Sequence, residues 1–161
     1  MKHKTKDKPM ASTSTTDNQI VILHVEDDPD HAELVRRSFE SHRVTNRLML
    51  VSDGEVALDY LFRRGDYADP KKSPTPTIIL LDLRLPKIDG LEVLTVIKSD
   101  PTLKYIPVVI LTTSEAETDV ARAYELHANS YLVKPVDFNK FARLMEELGF
   151  YWLKWNFCPE K

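Results

Sequence analysis

Four consecutive aliphatic residues, Ile78-Ile79-Leu80-Leu81, constrain this chain more than any other stretch. They have no polar break, which suits a strand buried on both faces. Pro74 and Pro76 bound the run on one side, Pro86 and Asp89-Gly90 on the other. The run stops at Asp82, so this acid stands where a central strand leaves its sheet. In open α/β sheets that carboxyl edge is where ligands bind. An aspartate there can equally be a turn former or helix cap, so a chemical reading depends on what else reaches the same edge.

The rest of the chain repeats the pattern. Ile20–Val25 reads as a first strand, ending in Glu26-Asp27-Asp28 before Pro29, a residue pre-set for a first helical position. A helix from Pro29 to about Ser41 follows, with Leu34, Val35, Ser38 and Phe39 as its stripe. Leu48–Val51 is a second strand, and Val56, Ala57, Tyr60 and Leu61 mark a helix reaching towards Gly65. Gly65–Pro76 reads as a polar surface loop. After the central strand come a helix carrying Leu91, Leu94 and Ile97, a strand over Pro107–Leu111, and a helix carrying Ala116, Val120, Ala123 and Tyr124. A short strand over Ser130–Val133 precedes a last helix with Phe141, Leu144, Met145, Leu148 and Trp152 on one side. Strand and helix alternate throughout, which calls for a parallel sheet with right-handed crossovers and helices on both faces.

Composition removes several functions. A chain of 161 residues fits one domain with a proper core. The net charge of −3 implies no broad nucleic-acid surface. No apolar run approaches a membrane span or a signal peptide. A single cysteine, Cys158, excludes an internal disulfide and a cysteine-based zinc site and fits a reducing cytoplasm. Four scattered glycines cannot build a phosphate loop, which disfavours a nucleotide-binding domain. Residues 1–18 are polar and read as a disordered tail.

The strand ends supply Glu26 and Asp27, Asp82, Thr112 and Lys134. In a parallel sheet they share one edge. Three carboxylates brought together repel and raise one another's pKa, and a divalent cation removes that cost. All-oxygen ligands favour magnesium. A carboxylate beside a metal, a hydroxyl and an ammonium suits phosphoryl transfer, for which Asp is an established covalent nucleophile. Taken singly, Glu26, Asp27 and Thr112 can be helix caps and Lys134 a surface lysine.

This set of residues resembles the response-regulator receiver domains of two-component signalling, over about residues 19–149. The likeness rests on Glu26-Asp27, on Leu81-Asp82 with Pro86 and Asp89-Gly90, on Thr112, and on Tyr131 three residues before Lys134-Pro135. It implies a doubly wound, flavodoxin-like fold of five parallel strands in the order 2-1-3-4-5. It implies Asp82 as phosphoacceptor. Magnesium would be held by Asp27, Asp82 and the backbone carbonyl of Arg84, with Glu26 acting through water. Thr112 and Lys134 would bind the phosphoryl group, and Thr112 and Tyr131 would form a switch pair. The resemblance further implies a cis Lys134–Pro135 peptide and a phosphohistidine-bearing sensor kinase as partner.

The Gly65–Pro76 insertion, the Leu126–Tyr131 segment and the aromatic C-terminus resemble regulators paired with bacterial and cyanobacterial phytochromes. Most receivers carry Gly-Ala before the fifth strand. Here it is His127-Ala128, so the turn is expected to be built differently. His127 is given no catalytic role. Phe150, Tyr151, Trp152, Trp155 and Phe157 in the 150–161 extension are expected to form a dimer or partner surface. With no DNA-binding module in sight, the expected output is by protein contact, from a signalling protein rather than a metabolic enzyme. An aspartyl-phosphate phosphatase would want a second Asp where Arg84 stands, and a non-phosphorylated scaffold would not need the intact acidic set.

Overall fold

The computed structural model describes residues 20–40 and 46–152. Five strands, β1 (Ile20–Val25), β2 (Asn46–Val51), β3 (Ile78–Leu81), β4 (Val108–Thr112) and β5 (Ser130–Val133), form one parallel sheet in the order β2-β1-β3-β4-β5. Five helices connect and close it: α1 (Pro29–Glu40), α2 (Gly54–Phe62), α3 (Gly90–Ser99), α4 (Glu117–Glu125) and α5 (Phe138–Phe150). None is long and apolar enough to cross a membrane.

Alternation along each strand divides the core between the two faces of the sheet. Leu23, Val25, Ile79, Leu81, Val108 and Ile110 pack with residues of α2, α3 and α4. Ile22, Ile78, Leu80, Val109 and Leu111 pack with α1 and α5 through Leu34, Val35, Phe39, Phe141 and Met145. All four residues of β3 are buried, which explains its unbroken aliphatic run: neither face meets water.

Several boundaries differ from the sequence reading. β2 starts at Asn46, two residues earlier than its apolar run, because the edge pairing with β1 begins at Ile20↔Asn46. Thr112 is the last residue of β4 rather than a residue beyond it, since it still pairs with Val133. The Gly65–Pro76 segment contains a 3-10 turn over Gly65–Tyr67 and a buried Ser73, whose hydroxyl donates to the Tyr67 and Asp69 carbonyls at 2.6 and 2.9 Å.

Two further expectations are corrected. The turn after α4 is built in the usual way, with His127 itself left-handed at φ 69°. Its N–H donates to Tyr124 C=O and that of Ala128 to Ala123 C=O, both at 3.0 Å, so a Schellman motif forms without glycine. The two backbone bonds offset the steric cost of the side chain. There is no cis peptide among the described residues, so Lys134–Pro135 is trans. Trans is the lower-energy form even before proline, and the Lys134 N–H is already satisfied by Thr112 C=O at 2.7 Å.

Candidate functional site

Sheet register assembles the site. Val25 pairs with Leu81, and the Asp82 N–H donates to Val25 C=O at 3.1 Å, so Glu26 and Asp82 leave adjacent strands at the same level. Thr112 pairs with Val133 at the end of β4, which sets Lys134 at that edge from the far side. The following loop is drawn close by Gly90. A Cβ there would stand 2.2 Å from the Asp82 carbonyl oxygen, so only glycine lets α3 begin this near the strand end.

Glu26, Asp27 and Asp82 each place a carboxylate oxygen within 4.8 Å of the others. Glu26 and Asp82 are buried, at 2% and 7% exposure, while Asp27 faces solvent. Lys134, 4% exposed, donates to Glu26 Oε2 at 2.5 Å and to Asp82 Oδ2 at 3.0 Å. The second Asp82 oxygen, Oδ1, accepts from the Arg84 N–H at 3.3 Å. The ammonium thus offsets two buried carboxylates, which would be costly unpaired. Burial still pushes the Glu26 carboxyl up to about 7, against the opposing pull of Lys134. The donor set is all carboxylate oxygen, it is anionic beyond what one lysine offsets, and one member is open to water. Those properties fit a hard divalent cation.

The other candidates lie around this core. Thr112 is fully buried, and its hydroxyl accepts from the Ser114 N–H at 3.4 Å. The Tyr131 hydroxyl donates to Ser114 C=O at 2.9 Å, and burial raises its phenol above the usual value. The Arg84 guanidinium turns to α4, where Asp119 Oδ2 accepts from Arg84 Nη2 at 2.9 Å and from Ser114 Oγ at 2.6 Å. Phe150 and Tyr151 are exposed, while Trp152 packs on the core beneath α5 and meets Tyr151 edge-on at 5.5 Å. Trp155 and Phe157, and the tail over residues 1–18, lie outside the described residues.

Sequence reasoning missed two histidines. His31, on the first turn of α1, places Nδ1 3.1 Å from Lys134 Nζ. Nothing in its spacing sets it apart from a polar residue on an exposed first turn. His24 was visible as the one polar residue within the first strand run. It is 1% exposed, and neither ring nitrogen has a hydrogen-bond partner. Burial, reinforced by the Lys134 ammonium, pushes its imidazole down to about 3, so the ring is neutral at neutral pH.

A family model described as the response regulator receiver domain matches residues 22–146. A probable methanogenesis regulatory protein, FilR2, of Methanothrix harundinacea is 46% identical over 144 residues, covering 89% of this chain and 90% of that protein. Response regulator Rcp1 of Synechocystis sp. is 42% identical over 134 residues, covering 83% and 89%. The crystal structure of Mn(2+)-bound Rcp1 superposes with a TM-score of 0.83 at 41% identity, covering 88% of this chain and 99% of that one. The phosphorylated cyanobacterial phytochrome response regulator RcpA gives 0.84 at 39%, with the same coverage.

The buried His24 makes stability depend on pH. Its folded pKa lies below the free value of 6.5, so the contribution of the neutral ring is complete above pH 6.5 and is lost as pH falls towards 3. Glu26 runs the other way: its share is complete below 4.5 and is lost as pH rises through about 7. In metal-free buffer, His24→Leu removes the first dependence and keeps the second. Wild type is therefore expected to lose stability relative to His24→Leu from pH 6.5 to 4, by up to about 1.4 kcal/mol per pH unit. Equal slopes in urea unfolding of the two proteins would contradict a buried neutral His24.

Proposed function

The chain belongs to the response regulator receiver family, and from that premise we propose that it accepts a phosphoryl group on Asp82 from a phosphohistidine of a sensor histidine kinase. The observation that carries this reading is the Asp82 carboxylate at the end of β3, joined to Lys134 within a cluster of three acids. An Asp82 oxygen attacks phosphorus, the P–N bond of the donor breaks, and its electron pair returns to the imidazole. Water later splits the aspartyl phosphate and restores the carboxylate.

Asp27 and Asp82, with the Arg84 carbonyl, would hold magnesium, and Glu26 would act through water. Held there, magnesium would supply positive charge against the acids and the incoming phosphoryl group. Lys134 and the Thr112 hydroxyl bind the other oxygens as charge develops on them. Thr112 turning to the phosphoryl group leaves space that Tyr131 enters, giving up its bond to Ser114 C=O and changing the face formed by α4, β5 and α5. The chemistry is confined to the protein's own phosphorylation and dephosphorylation, so its role is signalling.

The likeness to RcpA supports a kinase of the phytochrome class. The likeness to a probable methanogenesis regulatory protein supports a regulatory role. We place the protein in the cytoplasm, with output through protein contacts rather than nucleic acid or membrane. The receiver unit is residues 19–149, preceded by a polar tail over 1–18 and followed by the extension 150–161. Exposed Phe150 and Tyr151 at the end of α5 support pairing of two copies through that extension.

Intact-mass spectrometry after incubation with a small phosphodonor tests the reading. One added phosphoryl group is expected on wild type with magnesium, none after chelation, and none on Asp82→Asn. An unlabelled wild type that is folded and binds magnesium would contradict it. For the dimer, light scattering at high concentration is expected to give twice the 18.5 kDa chain mass. A monomer mass with and without phosphorylation would sink that part.

A further inference from the structure

Lys134 has one partner more than the receiver reading uses. An ammonium has three N–H donors. Glu26 and Asp82 take two, and His31 Nδ1 stands 3.1 Å from Nζ in line for the third. The His31 backbone is tied into the helix start, where its N–H donates to Asp28 Oδ1 at 3.3 Å in the first turn of α1. Its ring packs against α5, edge-on to Phe141 with centroids 5.4 Å apart, and its Nδ1 also stands 3.7 Å from Asp28 Oδ2. An ammonium donates and does not accept, so a hydrogen bond between the two makes Nδ1 the acceptor. That role belongs to the tautomer that carries its proton on Nε2.

We propose that His31 is a positioning residue for Lys134, holding its ammonium beside Asp82 when the neighbouring carboxylates engage a divalent cation. The inference rests on the receiver reading above. Its physical basis is competition. Two of the three acceptors around Nζ belong to the acidic cluster that would bind the cation. A hard cation takes carboxylate oxygen in preference to imidazole nitrogen. With Asp82 engaged directly and Glu26 through water, both would hold Lys134 less tightly, and the cation's charge would repel the ammonium. His31 is the acceptor that stays. Lysine carries its charge on a flexible four-carbon stem, so without this anchor Nζ leaves its place. With the anchor, Nζ remains where phosphoryl oxygens arrive as the Asp82 O–P bond forms and the leaving group departs with its electron pair.

The test uses the full chain, acetyl phosphate as donor and magnesium saturating for each variant, with labelling followed by intact mass. Wild type is compared with His31→Leu, His31→Asn and Asp82→Asn. The leucine variant keeps apolar bulk and removes the acceptor; it is expected to label about tenfold more slowly, the scale of one hydrogen bond to a charged group. Asparagine offers an amide oxygen near the place of Nδ1 but no ring for Phe141. It is expected to recover most of the rate, which a packing role for the ring would not allow. Nitrogen NMR supplies a readout independent of labelling. His31 is expected as the Nε2-protonated tautomer with and without magnesium, and its Nδ1 resonance is expected to move in Lys134→Met. Wild-type rates in His31→Leu, an asparagine variant as slow as leucine, or an Nδ1-protonated ring would each overturn the proposal. If wild type itself stays unlabelled, the receiver reading falls and the inference falls with it; the NMR contact surviving in that case would mark the failure as one of chemistry rather than of geometry.

Discussion

Three hydrogen-bonding partners around one buried ammonium hold the functional edge of this molecule together. Lys134 reaches Glu26 just beyond β1, Asp82 just beyond β3 and His31 on α1. Each partner sits on or just beyond a different element, and each is useless to the others without the sheet register that brings them level. Removing one member of such a buried pair typically costs roughly 3–5 kcal/mol, because the remaining charge stays in the interior without water. The same cluster is underneutralised, with a Glu26 carboxyl raised by burial and an Asp27 open to solvent. A cluster of carboxylate oxygens with one lysine among them suits a hard cation, which is what the proposed function asks of it.

The parts of the fold visible in the sequence were those set by strong local patterns. Ile78–Leu81 reads as a buried strand because both its faces are apolar, and the structure buries all four residues. The stripe of α1 over Leu34, Val35, Ser38 and Phe39 is likewise the buried face. Boundaries decided by pairing were less legible. Asn46 joins β2 because the neighbouring strand begins beside it, and nothing in its own chemistry favours a strand. The left-handed turn at His127 is not legible from the absence of glycine, because two backbone bonds suffice to hold a histidine left-handed.

The site divides in the same way. Glu26, Asp82, Thr112 and Lys134 stand at strand ends, so counting strands brings them to one edge. His31 and Asp119 lie on helices, and what they touch is fixed by helix docking rather than by any spacing along the chain. Asp119 joins Arg84 of the loop after β3 to Ser114 of the loop after β4. The Tyr131 hydroxyl is bonded to the carbonyl of that same Ser114. The loop after β3 and the segment beside Thr112 and Tyr131 are therefore joined through Asp119 and Ser114, and under the proposed function a charge added at Asp82 would act on both.

Fluorine NMR of the protein mixed with beryllofluoride, a tetrahedral stand-in for a phosphoryl group, tests the central claim most directly. If Asp82 is the acceptor in a cation-dependent site closed by Lys134, bound fluoride resonances appear for wild type with magnesium, vanish on chelation, and are absent from Asp82→Asn. Bound resonances that persist without magnesium, or that survive in Asp82→Asn, would contradict the account.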